Sequence, residues 1–184
     1  MNKIYPHAKE ESWWDGPERF KFINRCEVSM IQTETLMRTI KVLLGDNGID
    51  VGGPTFGHIL KSLNIIKGDG VDIIANGAKL PYDDESLDYI FSSHTLEHIP
   101  NTEQVLKEWL RVVKRGGYVI IVIPDKRYHL HDPNNTKLGE WAPEEKTPEE
   151  LYGIIEKLNA DILSFNTRNN NFDFEFLIKK EIIV

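Results

Sequence analysis

The side chains best suited to acid and base chemistry follow two predicted strands. His94 comes directly after a strand predicted over residues 87–92, and Asp125 lies just beyond the β-branched run of residues 118–123. His129 lies on the polar segment that follows. Histidine titrates near neutral pH and can take a proton from a reacting hydroxyl, whereas a carboxylate can bind a substrate hydroxyl or a divalent cation. We therefore select His94, Asp125 and His129 as candidate catalytic residues.

Each of these residues also has an interpretation without catalysis. His94 could order a turn or hydrogen-bond a cofactor, and His129 with its neighbour His131 could lie in a solvated loop. Asp125 is a single carboxylate, which does not make a metal site, so no metal is predicted. The run His94-Thr95-Leu96-Glu97-His98 also matches an inverted zinc-protease pattern, but that pattern requires a continuous helix and a third ligand.

Strands and helices alternate through the middle of the chain. Residues 49–51 are a predicted buried strand that leads into a glycine turn and a short helix, and residues 70–73 and 87–92 are predicted as the next two strands. Asn101, with Gln104 three positions later, is predicted to cap a helix that Gly116-Gly117 stops. The apolar run that follows is typical of a parallel strand covered on both faces.

The two ends of the chain add helices and an antiparallel edge to this pattern. Apolar residues recur at helical spacing from Phe20 to Leu44, which indicates one or two helices. Thr147-Pro148-Glu149-Glu150 is typical of a helix start, and residues 161–167 and 172–178 are a predicted hairpin. The predicted fold class is α/β, a doubly wound, Rossmann-like, mostly parallel sheet with an antiparallel C-terminal hairpin. Such sheets bind ligands outside the carboxyl ends of their strands.

Length and charge define the kind of protein to expect. The 184 residues are predicted to form a single domain, divided into an N-terminal helical arm (1–46), a cofactor-binding core (47–124), a substrate loop (125–147) and a helix with the terminal hairpin (148–184). A formal net charge of -7 disfavours nucleic acid and anionic membranes as partners. Cys26 is the single cysteine, so we expect a soluble cytoplasmic protein without an intramolecular disulfide, of open oligomeric state.

The most specific motifs lie between Leu80 and Pro124. They are, in order, a Leu-Pro-Tyr turn, Leu-Asp-Tyr-Ile-Phe-Ser-Ser-His, Leu-Glu-His, a capped helix and Gly-Gly-Tyr-Val-Ile-Ile-Val-Ile-Pro-Asp. This order resembles the second half of class I S-adenosylmethionine-dependent methyltransferases, of the type 11-like group. The resemblance extends back to about Ile49 and implies the Rossmann-like fold and S-adenosylmethionine as cofactor.

The resemblance also implies which residues bind the cofactor. Asp50 to Gly53 stand at the family's first glycine motif, Asp72 stands where the family has its ribose-binding acid, and Asn76 to Pro81 stand where it reads adenine. Ser93 and His94 occupy the strand end that faces the methyl group. The full predicted set is Asp50, Gly52, Gly53, Pro54, Asp72, Ile73, Asn76, Gly77, Ala78, Leu80, Ser93 and His94.

Three features depart from the family pattern. Pro54 lacks the N–H that a nicotinamide cofactor's pyrophosphate would need, and Asn76 stands where many members carry aspartate. Only sixteen positions separate Asp72 from Asp88, too few for a crossover helix and its strands. We therefore expect a sheet trimmed in the middle, with its third strand and the preceding helix short or missing. Such trimmed members resemble methyltransferases that modify sugars of surface polysaccharides.

These observations predict O-methylation of a sugar or other small-molecule hydroxyl. The run Ser92-Ser93-His94-Thr95 lacks the Asn/Asp-Pro-Pro-aromatic turn that is usual in amino-group methylation of nucleic acid or protein. The alternative is a degenerate methyltransferase fold that binds a partner without catalysis. Pro54, Asn76 and the shortened middle of the sheet are compatible with that alternative, because a shared fold does not imply a shared activity.

Overall fold

Seven strands of the chain form one sheet. The computed structural model describes residues 17–56, 59–127, 144–168 and 173–182, with side chains from residue 28 onwards. Its elements are α1 (Pro17–Leu44), β1 (Gly48–Val51), β2 (Lys61–Asn64), β3 (Ile73–Ile74), β4 (Leu87–Ser93), α2 (Thr102–Val112), β5 (Val113–Pro124), α3 (Pro148–Ile155), β6 (Ala160–Arg168) and β7 (Asp173–Lys180). The strand order is β3-β2-β1-β4-β5-β7-β6.

The sheet has the predicted fold class. Strands β1 to β5 pair in parallel, and β7 runs antiparallel to both β5 and β6 as the predicted hairpin. The chain order reverses between β1 and β4, since β2 and β3 lie on one side of β1 and β4 and β5 on the other. At such a switch point the connections leave in opposite directions and open a crevice at the carboxyl ends of the strands.

Helices cover both faces of the sheet. Successive residues of β5 point to opposite faces: Ile121 packs with α2 and α3, and Ile120 packs with α1. Trp109 of α2 is fully buried, and its indole N–H donates to Gly77 O at 2.8 Å. Met37 of α1 is buried against β4 and β5 on the other face. Because both faces are covered, a ligand reaches this sheet at its strand ends.

The predicted helix starts are confirmed. Asn101 accepts a hydrogen bond from Gln104 N at 3.2 Å at the start of α2. At the start of α3, Thr147 and Glu150 form a reciprocal capping box, which satisfies two N–H groups that a helix end leaves open. Within the described residues, none of the helices has both the length and the apolar character needed to cross a membrane.

The second strand was predicted in the wrong place. It is Lys61–Asn64, whereas residues 70–73, predicted as the second strand, form a turn that reaches only the first residue of β3. The segment Lys61-Ser62-Leu63-Asn64 carries one large apolar residue, so it lacks the run that marks a buried strand. Its position next to β1 comes from the pairing of Ile49 with Lys61, which the sequence pattern does not reveal.

The trimmed middle of the sheet is confirmed. β3 has two residues, nine residues join β1 to β2, and eight join β2 to β3. Parallel crossovers that contain a helix need about a dozen residues or more, which these connections do not have. The short helix predicted after the glycine turn is accordingly not formed by residues 52–56 or 59–60.

α2 ends earlier than predicted. It stops at Val112, and the segment that includes Gly116-Gly117 already belongs to β5. Val113 is fully buried and pairs with Leu87 of β4, so the chain joins the sheet as soon as the helix ends. Gly116, with a φ of 76°, lies where the register between β4 and β5 shifts. The glycines therefore serve an irregular strand and do not cap the helix.

Candidate functional site

A tight glycine turn ends β1. Gly52 has a φ of 93°, a conformation that favours glycine. A Cβ atom at Gly52 would overlap the side chain of Thr95, and one at Gly53 would overlap the carboxylate of Asp50. Asp50 is buried and accepts hydrogen bonds from the backbone N–H of Thr55 at 2.8 Å and from its hydroxyl at 3.2 Å. The predicted residues Asp50, Gly52, Gly53 and Pro54 therefore lie together at this strand end.

Burial changes the acidity of Asp50. It raises the pKa of the carboxyl to about 6, and the two hydrogen bonds from Thr55 only partly oppose this rise. The Asp50 carboxylate thus fixes the turn through Thr55, but its ionised form loses hydration free energy because the side chain is buried. Asp50 therefore acts on the shape of the turn, and its contact with the cofactor stays a prediction.

Asn64 is a residue of this site that the sequence analysis did not select. It is the last residue of β2, and its amide nitrogen donates to Gly52 O and Gly53 O, both at 2.9 Å. Its side-chain oxygen accepts from Ile66 N at 3.2 Å. Had β2 been located in the sequence, Asn64 would have been the polar residue at its carboxyl end.

Asp72 lies elsewhere than the sequence analysis placed it. It precedes β3, and its carboxylate accepts a hydrogen bond from Ser62 N at 2.8 Å. Because Leu63 pairs with Ile73, Asp72 lies beside the second residue of β2, away from the strand's carboxyl end. The prediction that residues 70–73 form the second strand is therefore wrong, whereas the ribose-binding role implied for Asp72 stays a prediction. Ile73 begins the short β3.

The segment predicted to read adenine forms an ordered turn. The side chain of Asn76 is exposed and accepts from Ala78 N at 2.9 Å. Gly77 has no room for a Cβ, which would lie 2.9 Å from Ile99 Cδ1. Leu80 is buried, and its N–H donates to Glu108 of α2 at 2.8 Å. α2 therefore fixes this segment, with Asn76 at its accessible tip.

Ser93 and His94 stand at the end of β4, beside the glycine turn. Ser93 is nearly buried, and the neighbouring Ser92 hydroxyl donates to Val51 O at 3.0 Å, which ties β4 to β1. His94 has a φ of 49°, and its N–H donates to Val122 O at 2.8 Å. The chain turns at His94 immediately after its last contact with β5. This brings the two ends predicted to face the cofactor, those of β1 and β4, next to each other.

The ring of His94 lies between two buried carboxylates. Its Nε2 is 3.5 Å from Asp173 Oδ2, and its Nδ1 is 3.9 Å from Glu97 Oε1. The side chain is 35% exposed, whereas Glu97 and Asp173 are buried. Burial alone would lower the pKa of His94, but the contact with Asp173 and the charge of Glu97 outweigh it and raise the pKa. His94 is thus a titratable group at the strand end with a strengthened affinity for a proton.

The remaining predicted catalytic residues are placed differently. Asp125 follows β5 and is buried, and its carboxylate accepts from Arg127 Nη2 at 2.7 Å and from Arg127 N at 2.9 Å. Arg127 also lies 3.4 Å from Glu149 of α3. His129 lies outside the described residues, as does His131. Asp125 therefore positions Arg127 at the carboxyl end of β5.

The zinc-protease pattern does not form its required helix. His94 precedes a short 3-10 turn at Leu96–His98, and its positive φ separates it from that turn. The two histidines of the pattern are therefore not on one continuous helix. Among the side chains that the structure describes, three or more histidine, cysteine, aspartate or glutamate residues do not gather as metal ligands at any position.

Several relatives of this chain are named as methyltransferases. Residues 60–121 match the family described as methyltransferase domain. The uncharacterized protein MJ1123 of Methanocaldococcus jannaschii is 29% identical over 87% of this chain and 76% of its own length. Phosphoethanolamine N-methyltransferase 2 of Caenorhabditis elegans is 27% identical over 73% of this chain and 31% of its own length. The chain thus spans less than a third of that second relative.

Solved structures share the fold. A methyltransferase of Thermotoga maritima, described as a possible histamine N-methyltransferase, has a TM-score of 0.58 and 19% identity over 87% of this chain and 99% of its own. Geranyl diphosphate C-methyltransferase of Streptomyces coelicolor has a TM-score of 0.60 and 10% identity over 81% and 77%. The [4+2]-cyclase SpnF has a TM-score of 0.63 and 14% identity over 83% and 81%. The chain therefore has the Rossmann-like methyltransferase fold, and its residues 60–121 match the methyltransferase domain family.

Asp50 should make the protein less stable as the pH rises. Its pKa in the folded chain, about 6, lies above the ordinary value of 3.8, so the folded state holds the proton more tightly than the unfolded state. The stabilising effect is complete below about pH 4 and is lost as the pH rises through about 6, by up to about 3 kcal/mol. Urea unfolding of the unchanged protein and of Asp50→Asn across this range measures the effect. Identical pH profiles for the two proteins would contradict it.

Asn64→Asp should destabilise the turn that follows β1. The substitution replaces two N–H donors with charged oxygens that face Gly52 O and Gly53 O, at a cost of about 2 to 3 kcal/mol. Asn64→Ala should cost less, about 1 kcal/mol, since it adds no charge. Asn47→Asp is the matched control, because Asn47 also donates to a carbonyl oxygen, that of Ser86, but is exposed. If urea unfolding shows equal losses for the two aspartate variants, Asn64 does not organise the turn.

Proposed function

We propose that this protein is an S-adenosylmethionine-dependent methyltransferase whose acceptor is a hydroxyl of a sugar or another small molecule. The observation that carries the proposal is that the glycine turn after β1 and His94 after β4 lie at the carboxyl ends of two paired strands, where sheets of this kind bind ligands. The methyltransferase match over residues 60–121 supports the donor, since it includes β2, β3 and β4. The saccharide acceptor and the cytoplasmic setting belong to the proposal and rest on the motifs of the sequence.

The residues at the carboxyl ends of β1 to β4 fit S-adenosylmethionine. The turn at Gly52 and Gly53 has no room for side chains of its own, because Thr95 and Asp50 fill the space where Cβ atoms would lie. Asn64 and Asn76 supply amide groups close to the ends of β2 and β3. Asn64 takes the place beside the ribose that Asp72 was expected to hold, with its side-chain oxygen as the acceptor. The geranyl diphosphate C-methyltransferase was crystallised with S-adenosylhomocysteine, the demethylated form of this cofactor. When bound, the cofactor supplies a methyl group on a positively charged sulfur.

His94 is the proposed base. A hydroxyl must lose its proton as its oxygen forms the new bond to carbon, and a histidine with a strengthened proton affinity is suited to receive it. Asp173 faces Nε2, so Nδ1 is the ring nitrogen proposed to take the proton. The positive charge that then forms on the ring is stabilised by Asp173 and Glu97.

Asp125 and His129 complete the proposed catalytic set. Asp125 contributes by holding Arg127, whose side chain is 43% exposed, at the end of β5. A guanidinium in that place can donate hydrogen bonds to several hydroxyls of a saccharide, since it offers donors in a fixed planar arrangement. His129 stays a prediction from the sequence alone.

Direct binding and transfer experiments test this function. Calorimetry should show saturable binding of S-adenosylmethionine, whereas a partner-binding subunit that has lost catalysis would show none. Incubation with methyl-labelled S-adenosylmethionine and a panel of nucleotide sugars, glycans, small amines and RNA should place the label on a hydroxyl oxygen of a sugar. Label found only on nitrogen or carbon, in the presence of normal cofactor binding, would overturn the hydroxyl acceptor and keep the methyltransferase.

His94→Asn should abolish turnover and leave cofactor binding in place. Asparagine tolerates the positive φ of this position and keeps a polar side chain, but it cannot accept the proton. We expect kcat to fall by about 100-fold to 10,000-fold with little change in the Kd for S-adenosylmethionine. His98→Asn is the matched control, since His98 lies four residues further along the chain, contacts the same Glu97 carboxylate and is also partly exposed. Equal losses of binding and turnover in His94→Asn would show instead that His94 is a cofactor contact.

A further inference from the structure

A buried polar cluster lies behind His94 and joins three other elements to it. Asp173 is fully buried at the start of β7, and the Ser29 hydroxyl of α1 donates to its Oδ2. Arg168 at the end of β6 lies with its Nη1 4.0 Å from the same oxygen. Arg168 is itself nearly buried, and its Nη2 donates to Thr33 of α1 at 3.1 Å. Thus α1, β6 and β7 together fix the carboxylate that faces His94.

We propose that Asp173 is a positioning residue for His94 and that Ser29 of α1 holds Asp173 in place. This inference rests on the proposed role of His94 as the base. Asp173 faces Nε2 at 3.5 Å, so it favours the neutral ring form that carries its proton on Nε2. Nδ1 is then unprotonated and able to accept a proton, which is the state a base requires.

The role of Arg168 distinguishes this arrangement from a simple ion pair between Asp173 and His94. A buried carboxylate needs compensation of its charge. If His94 were the only cation near Asp173, the ring would have to stay protonated and could not act as a base. Arg168 and Ser29 supply that compensation independently of His94. Although burial alone would raise the pKa of Asp173, the contacts with His94, Ser29 and Arg168 lower it, so Asp173 stays ionised.

The charged groups around the ring come from three elements. Asp173 of β7 and Glu97 of the 3-10 turn raise the pKa of His94, whereas burial and the charge of Arg168 on β6 lower it. His98 Nε2 lies 3.6 Å from Glu97 Oε1, the same carboxylate oxygen that lies near His94 Nδ1. Removal of the Asp173 charge should therefore lower the pKa of His94, because Arg168 and burial would then act with less opposition.

An NMR titration of His94 in the full chain tests the inference without any turnover. Long-range ¹⁵N spectra report the ring form and the pKa of His94 in the unchanged protein, in Asp173→Asn and in Glu175→Gln. Glu175→Gln is the matched control: Glu175 is on β7, two residues from Asp173, and lies 3.4 Å from Arg168. We expect a lower His94 pKa and a loss of the Nε2–H preference in Asp173→Asn and neither change in Glu175→Gln. The same pKa and ring form in all three proteins would overturn the inference.

Two further measurements keep the test decisive. Ser29→Ala removes a single hydroxyl and should raise the His94 pKa, opposite to Asp173→Asn, because the Asp173 carboxylate then depends more on the ring for compensation of its charge. It replaces Asp173→Asn as the test if that variant does not fold. An unchanged His94 in folded Ser29→Ala would overturn the role given to α1. In turnover, Asp173→Asn should lower kcat by roughly 100-fold and keep the Kd for S-adenosylmethionine. If no hydroxyl is methylated but the titration responds as expected, the proposed function fails and the positioning of His94 by Asp173 stands.

Discussion

The short connections on either side of β2 determine how the cofactor side of the site is built. Nine residues before β2 and eight after it leave no length for a helical crossover, so side chains must hold the glycine turn. The Asp50 carboxylate accepts a hydrogen bond from Thr55 N. The Asn64 amide, at the end of β2, donates to the carbonyl oxygens of Gly52 and Gly53. Carbonyl oxygens require donors, so an amide at Asn64 suits this turn and a carboxylate would not. In this trimmed sheet the end of β2 thus holds the glycine turn through the amide of Asn64.

The acceptor side of the site depends on a different constraint, the charge balance around His94. Four ionisable groups lie close together there, and two of them, Asp173 and Glu97, are buried carboxylates. Arg168 offsets one of these charges permanently, and His94 can offset the other when it is protonated. The N-terminal helix takes part through Ser29 and so belongs to the site as well as to the core. A domain boundary after residue 46 would separate residues that act together.

The sequence was informative wherever a local pattern determines local structure. The apolar runs of β4 and β5, the cap at Asn101 and the capping box at Thr147 each depend on neighbours within a few positions, and each was predicted. β2 was not predicted, because its position is set by pairing with β1 and by very little apolar character. That one error left Asn64, the polar residue at the end of β2, out of the predicted site. The contact of His94 with Asp173 joins distant parts of the chain and leaves no local signal in the sequence.

A shared fold does not determine the reaction in this group of structures. The same sheet is shared, at similar TM-scores, by a C-methyltransferase and by a [4+2]-cyclase, so the chemistry has to be argued from the residues at the strand ends. A reaction in which the protein accepts no proton does not require a base between two carboxylates. A pocket that only binds a partner does not require one either. An ionised aspartate kept beside a histidine by a separate arginine is costly to bury and adds little to stability. Stability alone therefore does not explain this arrangement at the end of β4, which agrees with the proton transfer proposed for His94.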